Sequence, residues 1–387
     1  MEKTINECFY QIQNGANIKQ GDVEGGFPIT RIETTANDKF NRDRMGYAGI
    51  TDISKYEAYV LEDGDLLMSH INSVQYLGRT VLYVKQPDEI IIHGMNLLRL
   101  KARRNIINPA YARYCFYGHT FRCQIGNITK KSVNQASFAV KDLKQIKIEV
   151  PSLDVQNKVV VILDRVQKII DMRNNELASL DDLIKARFVE LFGDPVSNSK
   201  GLKELTLPEL GELGRGVSKH RPRNAPELLG GEYPLIQTGE VSNAGLYIEN
   251  YENTYSELGY KQSKMWKAGT LCITIAANIA KTAILRFDAC FPDSVVGFKA
   301  NDKTNEIFIH YWFSFFQAIL EAQAPESAQK NINLKILSEL KVIAPDIEEQ
   351  NKFATFVVQV DKSKVAVQKA LEQTQTLFDS LMQKYFG

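Results

Sequence analysis

The chain has 387 residues, of which 44% are hydrophobic and 24% are charged, a composition typical of a globular protein with room for two ordinary domains. The odd number of cysteines, five, and the lack of C-x-x-C spacing argue against a disulfide framework and against a zinc site. The N-terminus lacks a signal-type apolar run, residues 307–320 are too short an apolar stretch to span a bilayer, and we expect a cytoplasmic protein. The formal net charge of +1 does not by itself indicate a polyanionic partner.

Residues 1–152 are predicted to form a mixed α/β domain. Short β-like runs such as Thr80–Val84 alternate with loops, and a helix-like run, Pro109–Arg122, comes late. From Arg99 to Lys147 the chain has eleven Lys or Arg and a single acidic residue. Such a local excess is typical of a surface that binds a polyanion, and a solvated basic face would explain it equally well.

Residues 153–193 are predicted to form one long helix. Its apolar residues follow alternating steps of four and three, which is the pattern of a coiled-coil seam. Asp154 is the predicted N-cap, and Gly193 is predicted to end the helix. The predicted seam residues of this helix are Val159, Leu163, Val166, Ile170, Leu177, Leu180, Ile184 and Leu191.

Residues 194–203 are polar and rich in turn formers, and we interpret them as a linker. Residues 204–346 are predicted to form a second mixed α/β domain, with a β-like run at Leu271–Ile275 and a helix-like run at Glu306–Ala322. Both domains are expected to hold small, largely antiparallel or mixed sheets.

Residues 347–387 are predicted to form a second long helix, with Asp346 as its N-cap. A shift of 194 residues without a gap places Gln350 on Gln156 and Pro345 on Pro151, so the chain is an internal pseudo-repeat. Lys364 and Thr374 are the polar residues at the shifted seam positions. The predicted apolar seam residues of the second helix are Phe353, Val357, Val360, Val367, Leu371, Phe378, Leu381 and Tyr385.

A long helix with an apolar stripe must bury it, and the nearest partner is its own copy. Because a whole domain carries the chain back between the two helices, we expect antiparallel pairing. The predicted fold class is therefore α/β (α+β): two similar mixed α/β domains joined by a long antiparallel two-helix coiled coil.

Motifs that carry catalysis are not found in the sequence. It has no Asn/Asp-Pro-Pro-aromatic motif of an amino-methyltransferase, no phosphate-binding loop and no H-E-x-x-H zinc motif. Pro292-Asp293 is similar to the start of a nuclease metal site, but the acid-x-Lys pair that would complete such a site does not follow at short range. The five histidines are scattered, and neither a catalytic nor a metal site is predicted.

The chain resembles the specificity (S) subunits of Type I restriction-modification systems over its whole length. The resemblance rests on the duplicated domain-plus-helix layout and on the Leu-x-x-Ile-x-Ile-x-x-Pro run at residues 143–151 with its copy at residues 337–345. It rests also on Gln156 and Gln350 near the helix starts and on the segment 186–195, which is similar to the join at the end of the central helix in many members. The opening of the first half, residues 4–20, matches the usual Leu-Gly-Glu-rich start poorly, whereas residues 210–213 match it better.

The resemblance implies two target-recognition domains, each reading one half of a split, asymmetric sequence in double-stranded DNA. It implies that the helices fix the gap between the halves, that two methyltransferase (M) subunits dock on them, and that motor-nuclease (R) subunits join for restriction. The chain itself would then be non-catalytic, and S-adenosylmethionine, ATP and Mg are expected on the partner subunits.

Side chains that can pair with base edges or phosphates are predicted to lie in loops of the two domains. The first-domain candidates are Asn17, Lys19, Gln20, Arg31, His70, Asn72, Ser73, Arg79, Lys130, Lys131 and Ser132. The second-domain candidates are Arg215, Ser218, Lys219, His220, Arg221, Arg223, Asn224, Gln237, Thr238, Asn278, Lys281, Thr282, Gln329, Lys330 and Asn331.

Two alternatives remain open at this point. A protein–protein adaptor with two binding domains on a coiled-coil rod would share the layout but would not need the basic clusters, and a heparin shift assay separates the two. A nuclease or methyltransferase is disfavoured by the missing motifs, and incubation with DNA, Mg²⁺ and S-adenosylmethionine would test it.

Overall fold

The computed structural model describes residues 1–21, 25–132, 135–220, 222–276, 279–323 and 332–387. The strands of the first half are β1 (Glu2–Thr4), β2 (Phe9–Asn14), β3 (Leu66–Ser69), β4 (Ile71–Asn72), β5 (Thr80–Leu82), β6 (Leu97–Ala102), β7 (Lys130–Lys131), β8 (Ala136–Ser137) and β9 (Lys147–Glu149). Its helices are α1 (Ile5–Cys8), α2 (Pro109–Tyr117), α3 (His119–Ile128), α4 (Val140–Leu143) and α5 (Leu153–Phe192).

The second half repeats this order with additional strands. Its strands are β10 (Glu204–Thr206), β11 (Gly211–Arg215), β12 (Leu229–Leu235), β13 (Tyr247–Ile248), β14 (Asn253–Tyr255), β15 (Met265–Trp266), β16 (Leu271–Thr274), β17 (Thr282–Leu285), β18 (Ala289–Cys290), β19 (Val295–Ala300) and β20 (Lys341–Ile343). Its helices are α6 (Leu207–Leu210), α7 (Thr238–Asn243), α8 (Glu257–Lys261), α9 (Glu306–Gln323), α10 (Leu334–Glu339) and α11 (Ile347–Phe386).

The chain divides into two units, and each unit contains one mixed domain with a part of each long helix. Unit 1 comprises residues 1–172 and 370–387, and unit 2 comprises residues 173–369. The division therefore runs through α5 and α11 rather than between domain and helix.

In unit 1 a four-stranded antiparallel sheet has the order β2-β6-β3-β5. Leu66, Leu98 and Leu100 are buried in one core with α2, α3 and the start of α5. Leu67 and Leu97 of the same strands belong to a second buried cluster. The leucine-rich runs of β3 and β6 are buried on both faces, as in a sheet covered by other elements.

Unit 2 holds two sheets, of order β11-β19-β16-β17-β13 and β14-β12-β18-β15. Most strand pairs are antiparallel, and β13–β17 and β12–β18 are parallel. The prediction of largely antiparallel or mixed sheets is confirmed.

The long helices pair in an antiparallel manner, as predicted. In unit 1 Leu163, near the start of α5, shares a core with Phe378 and Leu381, near the end of α11. In unit 2 Ile184, near the end of α5, shares a core with Phe353, near the start of α11. The beginning of each helix thus meets the end of the other.

Each domain begins with the same local structure. β1 pairs with β9 and β10 pairs with β20, both antiparallel. A capping box follows each first strand: the backbone N–H of Thr4 donates to Glu7 Oε2 at 2.7 Å, and that of Thr206 donates to Glu209 Oε2 at 2.7 Å. The opening of the first half therefore takes the same fold as the second, although its sequence resembles the family pattern poorly.

Two details of the helices differ from prediction. The run Pro109–Arg122 is not one helix, because the chain is extended at Gly118 and a Cβ there would lie 2.4 Å from Cβ of Phe386. Helix α5 begins at Leu153, so Asp154 lies in its first turn and is not the N-cap. Gly193, with φ of +78°, follows the last residue of α5, as predicted for a glycine that ends a helix.

Candidate nucleic-acid interface

A buried glutamine ties each domain to the start of its long helix. In unit 1 Gln156 is 0% exposed, and its Oε1 accepts from the backbone N–H of Asn108 at 2.8 Å. Its Nε2 donates to the carbonyl oxygens of Ile106 at 2.9 Å and Pro151 at 2.8 Å. The next residue, Asn157, accepts from Nδ2 of Asn108 at 2.8 Å.

Unit 2 contains the same junction. Gln350 is 0% exposed, and its Oε1 accepts from the Thr304 hydroxyl at 2.8 Å. Its Nε2 donates to the carbonyl oxygens of Lys303 at 3.0 Å and Pro345 at 2.8 Å, and Asn305 Nδ2 donates to Asn351 Oδ1 at 3.0 Å. Every polar atom of the amide group has a partner in both copies, so each domain is held in a defined orientation on its helix.

The first loop of each domain begins at a crowded glycine. Gly15 follows β2, and a Cβ there would lie 2.2 Å from the carbonyl oxygen of His93. Gly216 follows β11, and a Cβ there would lie 2.3 Å from the carbonyl oxygen of Pro292. At both places the chain leaves the sheet through a gap that only glycine fits, which fixes the path of the polar loop beyond it.

The basic loop of unit 2, residues 215–224, is held at several points. Gln262 Oε1 accepts from the backbone N–H groups of Lys219 at 2.6 Å and His220 at 3.0 Å, and the Ser263 hydroxyl donates to the Val217 carbonyl at 2.8 Å. Arg215 donates to the backbone carbonyl of Asp293, and Arg223 forms an ion pair with the Asp293 carboxylate.

The side chains of Lys219 and Asn224 are exposed, and the loop therefore presents polar groups from a fixed backbone. Arg215 and Arg223 are exposed in part but are engaged at Asp293, so they also brace the loop. His220 lies 3.7 Å from Glu227.

Several candidates of unit 1 have partners within the domain. Gln20 Nε2 donates to the Thr30 carbonyl at 3.2 Å, and Arg31 lies 3.7 Å from the Glu33 carboxylate. Arg79 lies 3.5 Å from Asp38, and its guanidinium is stacked on the Tyr76 ring at 4.6 Å. Asn17 and Lys19 are exposed.

Asn72, Ser73, Lys130, Lys131 and Ser132 come together at one end of unit 1. Strands β4, β8 and β7 form a three-stranded antiparallel ribbon there. The Ser132 hydroxyl donates to the Gln135 carbonyl at 2.7 Å and closes the turn of the hairpin. Residues 71–72 are far apart in the sequence from residues 130–131 and 136–137, but all of them lie side by side in this ribbon.

Three candidates have buried side chains, and their prediction as surface contacts is wrong. Ser218 is 6% exposed, and Thr282, 9% exposed, has its hydroxyl 2.9 Å from Nδ1 of His310. His70 is 5% exposed, and burial lowers its pKa to about 4, so the ring is neutral and packs edge-on against Phe138. Each of them lies at or near the end of a strand, where sequence pattern alone does not distinguish the inner face from the outer.

The basic run from Arg99 to Lys147 is not one surface patch. Arg99 is 1% exposed and donates to the carbonyl oxygens of Val60 at 2.9 Å and Ala58 at 2.7 Å. Lys101 and Arg104 pair with Glu62 and Asp63, outside the run. Part of the excess therefore stabilises the fold, and Lys130 and Lys131 belong to the part that is exposed.

The remaining candidates are distributed over unit 2. Gln237 and Lys281 are exposed, and Thr238 is half-buried at the start of α7. Arg221, Asn278, Gln329, Lys330 and Asn331 lie outside the described residues.

The predicted seam residues of α5 and α11 are all buried or half-buried. Lys364 lies among them, and its Nζ donates to Asp181 Oδ1 at 2.6 Å, which fixes the register of the two helices in unit 2. Sequence periodicity missed Phe188 and Phe192, which are 0% and 2% exposed and pack against Phe308 and Phe353. The signal for them was present as an i, i+4 pair of aromatic residues one step off the seam.

Two further observations concern other kinds of site. His, Cys, Asp and Glu side chains in the described ranges do not gather in groups of three that could hold a metal ion. Of the helices in the part of the chain that the structure describes, none has the length and hydropathy needed to cross a membrane.

A mixed domain built twice on an antiparallel helix pair is the architecture of a known family. The chain matches the type I restriction modification DNA specificity domain over residues 2–181 and again over residues 200–374. The chain therefore belongs to this family, and the resemblance found in its sequence is confirmed.

Similar proteins agree with this assignment. A putative type I restriction enzyme MjaX specificity subunit of Methanocaldococcus jannaschii is 28% identical over 392 aligned positions, covering 97% of this chain and 91% of that protein. The type I restriction enzyme EcoBI specificity subunit of Escherichia coli is 31% identical over 163 positions, covering 39% of this chain and 34% of that protein.

Two solved structures share the fold. The S subunit of a Type-I restriction-modification system from M. genitalium superposes with a TM-score of 0.60 at 14% identity, covering 100% of this chain and 96% of that one. A chain from a structural study of complex assembly and conformational transition of the type I R-M system superposes with a TM-score of 0.57 at 16% identity, again covering 100% and 96%.

Proposed function

We propose that each mixed domain reads one half of a two-part DNA target and that the antiparallel helices set the gap between the halves. The observation that carries the proposal is the duplicated glutamine junction. It fixes each domain on the start of its own helix through a buried amide with all its partners. The segments between β2 and β3 and between β11 and β12, which begin at Gly15 and Gly216, differ in length and in sequence. Two domains that recognise different DNA sequences independently need the same attachment to their helices and different loops.

The proposal is tested by exchanging residues 204–346 for the matching domain of a relative with a different DNA target. The full chain is assembled with its methyltransferase partner, and the preferred sequence is selected from a DNA pool. We expect one half of the target to change and the other half and the gap to stay the same. A change in both halves, or binding to heparin and DNA no tighter than that of an adaptor protein, would contradict the proposal.

Under the same proposal, the methylation and cleavage of DNA are carried out by other subunits. We infer that this chain is non-catalytic and acts in the cytoplasm, that two methyltransferase subunits dock on it, and that motor-nuclease subunits join them. S-adenosylmethionine, ATP and Mg would then be bound by those partners.

Exposed apolar side chains on α5 support docking of a helical partner. Val155, Ile162 and Ile169 recur every seven residues on one face and are 44%, 38% and 42% exposed. In unit 2 a groove of about 620 Å³ is lined by Leu183 and Phe356, among others. A heptad-spaced apolar face away from the buried seam is typical of a helix that packs on a further helix.

This docking is tested by co-purification with a co-expressed methyltransferase subunit. Replacing Ile162 and Ile169 together with Ser should reduce the amount recovered, because both side chains would lose an apolar partner surface. Val365→Ser is the matched control, since Val365 is 60% exposed on the other long helix and lies outside this face. Equal recovery from the double variant and the control would exclude the α5 face as the docking surface.

A further inference from the structure

The ribbon β4-β8-β7 of unit 1 presents a row of three chemically different side chains on its outer face. Ser137 on β8 faces Ile71 on β4, and it faces Lys130 on β7 from the other side. Directly opposed residues in a sheet lie on the same face, so Ile71, Ser137 and Lys130 form one row across the ribbon. Ile71 is 38% exposed, Lys130 is exposed and Ser137 is half-buried.

The neighbouring row lies on the other face. Asn72 faces Ala136, and Ala136 faces Lys131. Ala136 is 2% exposed and belongs to the core of unit 1, so this face is directed toward the domain. Lys130 and Lys131 are therefore consecutive lysines with opposite placements, one on the outer face of the ribbon and one at the edge of its inner face.

Hydrogen bonds and a buried aromatic ring attach the ribbon to the domain. The backbone N–H of Phe138 donates to the His70 carbonyl at 3.3 Å, and the Phe138 ring is 3% exposed in the core directly behind the ribbon. The half-buried Arg122 of α3 donates to the carbonyl oxygens of Leu77 and Gln75. Its guanidinium thereby braces the loop that leaves β4.

That loop adds further exposed apolar surface. The turn Val74–Tyr76 follows the ribbon directly, and Val74 is 51% and Tyr76 38% exposed. Arg79 stacks on the Tyr76 ring at 4.6 Å and holds it at the surface. Apolar side chains fixed on the surface of a braced element usually mark a contact site, and the cationic side chains around them favour a polyanion as the occupant.

We propose that the ribbon β4-β8-β7 is the base-reading element of the first domain, and that Ile71, Ser137 and Lys130 determine its sequence preference. This inference rests on the proposed function, because it takes double-stranded DNA as the partner. Lysine donates to guanine O6 and N7, a serine hydroxyl pairs with several base edges, and the methyl groups of isoleucine suit the thymine methyl. β-Strands reach base edges in a DNA groove in several known classes of binder. Strands about 4.8 Å apart place the outer members of the row roughly 10 Å from each other, within the width of a major groove of about 12 Å.

The roles of the two lysines then differ in kind. Lys130 contacts a base edge, so its loss changes which sequence is preferred. Lys131 lies on the other face and at most contacts a phosphate, so its loss weakens binding to all sequences alike. Both lysine side chains are exposed, so either substitution should leave the packed core unchanged.

The experiment compares Lys130→Gln with Lys131→Gln in the full chain, assembled with its methyltransferase partner. Each assembly selects its target from DNA randomised in both half-sites, and the relative affinity of each base at each position is measured. Lys130→Gln should reduce discrimination at one or two positions of a single half-site by about 5- to 150-fold, equivalent to about 1–3 kcal/mol. Lys131→Gln should leave every base preference unchanged, and Ile71→Ala should reduce discrimination in the same half-site as Lys130→Gln.

The outcomes separate this inference from the proposed function. Unchanged preferences in Lys130→Gln, or equal effects of the two lysine variants, would overturn the assignment of the ribbon while two-part recognition still stood. Loss of the methyltransferase partner with unchanged DNA preferences would assign the ribbon to a protein and would also overturn it. Failure of the unsubstituted chain to select any sequence would defeat the proposed function and the inference together. Thermal unfolding of each variant verifies that the fold is intact.

Discussion

At the scale of the residue, the junction glutamines explain why a short sequence motif occurs twice. Gln350 fills a buried site in which its amide satisfies the Thr304 hydroxyl and the carbonyl oxygens of Lys303 and Pro345. No other uncharged side chain of that length both donates twice and accepts. The repeated Gln-Asn-Lys run was visible in the sequence, whereas its partners were not, because they are mostly backbone groups of distant loops.

Replacing Gln350 with Leu should lower the free energy of unfolding by about 1–3 kcal/mol for each buried group left without a partner. The loss is expected because leucine matches the size of the site but offers no hydrogen bond. Urea denaturation of the full chain measures it. Gln359→Leu, on an exposed position of the same helix, is the control and should change stability by less than about 0.5 kcal/mol. Equal effects of the two substitutions would show that the buried amide is not what stabilises the junction.

Three buried histidines are expected to contribute to the pH dependence of stability in weak acid. Burial lowers the pKa of His70 to about 4 and, with the nearby Arg99, that of His93 to about 3. Burial, with Lys364 nearby, lowers the pKa of His310 to about 4. Below a pH of about 6.5 these histidines become protonated in the unfolded chain but stay neutral in the folded protein.

The stabilisation by neutral histidine is therefore fully present above about pH 6.5 and is lost as the pH falls toward 4. Each histidine contributes a slope of at most about 1.4 kcal/mol per pH unit within that range. Urea denaturation at a series of pH values between about 7 and 5 should show the decline, and His70→Gln should make it shallower by the share of one histidine. A free energy of unfolding that stays constant over this range would be inconsistent with rings that remain neutral in the fold.

At the scale of the element, the ends of the long helices were predictable and their buried faces only partly so. The predicted helix 153–193 agrees with α5 to one residue, since the preceding Pro151 and the following Gly193 limit it on both sides. The predicted seam assumed that α5 packs only against the other long helix. In unit 2 α5 also packs against α9, which widens its buried face to include Phe188 and Phe192.

The prediction of DNA-contact residues was limited in the same way, because the sequence does not show which face of an element is buried. His70, Ser218 and Thr282 have the chemistry of DNA contacts, but their side chains are directed to the interior. In contrast, Ser137 lacked any sequence signal and lies in the outer row of the ribbon. Only strand pairing over long sequence separation brings it beside Ile71 and Lys130. Local pattern indicates residue type and approximate periodicity, whereas the face that each residue occupies depends on tertiary packing.

Phe188 is expected to be a major contributor to the stability of unit 2. Its ring lies 5.3 Å from that of Phe308 and 5.4 Å from that of Phe353, and it is 0% exposed. Phe188→Ala should lower the free energy of unfolding by about 3–5 kcal/mol through lost burial and the cavity left behind. Leu183→Ala, at a position 47% exposed on the same helix, is the control and should cost much less. Comparable losses from the two substitutions, measured by urea denaturation, would mean that the aromatic cluster does not hold α5 against the domain.

At the scale of the whole molecule, the internal repeat places a mixed domain before each of the two long helices. Each helix has 40 residues, or about 60 Å at 1.5 Å per residue. Under the proposed function, a paired seam of this length would act as the spacer between the two DNA-reading domains. The rear parts keep an ungapped register while the loops of the domains diverge, which is expected if, as proposed, a change of register would alter the spacing between the two DNA half-sites.

The spacer hypothesis predicts the effect of lengthening both helices together. The bond between Asp181 and Lys364 identifies opposed positions in unit 2, so one heptad inserted after Leu180 and one after Lys364 preserve the seam. The rod would lengthen by about 10 Å, which corresponds to about three base pairs at 3.4 Å each. Three base pairs also turn the second half-site by nearly a third of a helical turn, so the longer gap should be preferred at reduced affinity.

Selection from DNA with randomised gap lengths, in complex with the methyltransferase partner, measures the preference. An insertion of four residues at the same points is the control, since it breaks the seam and should abolish a defined gap. If the heptad variant kept the original gap at full affinity, the helices would not be what sets the spacing between the two halves of the target.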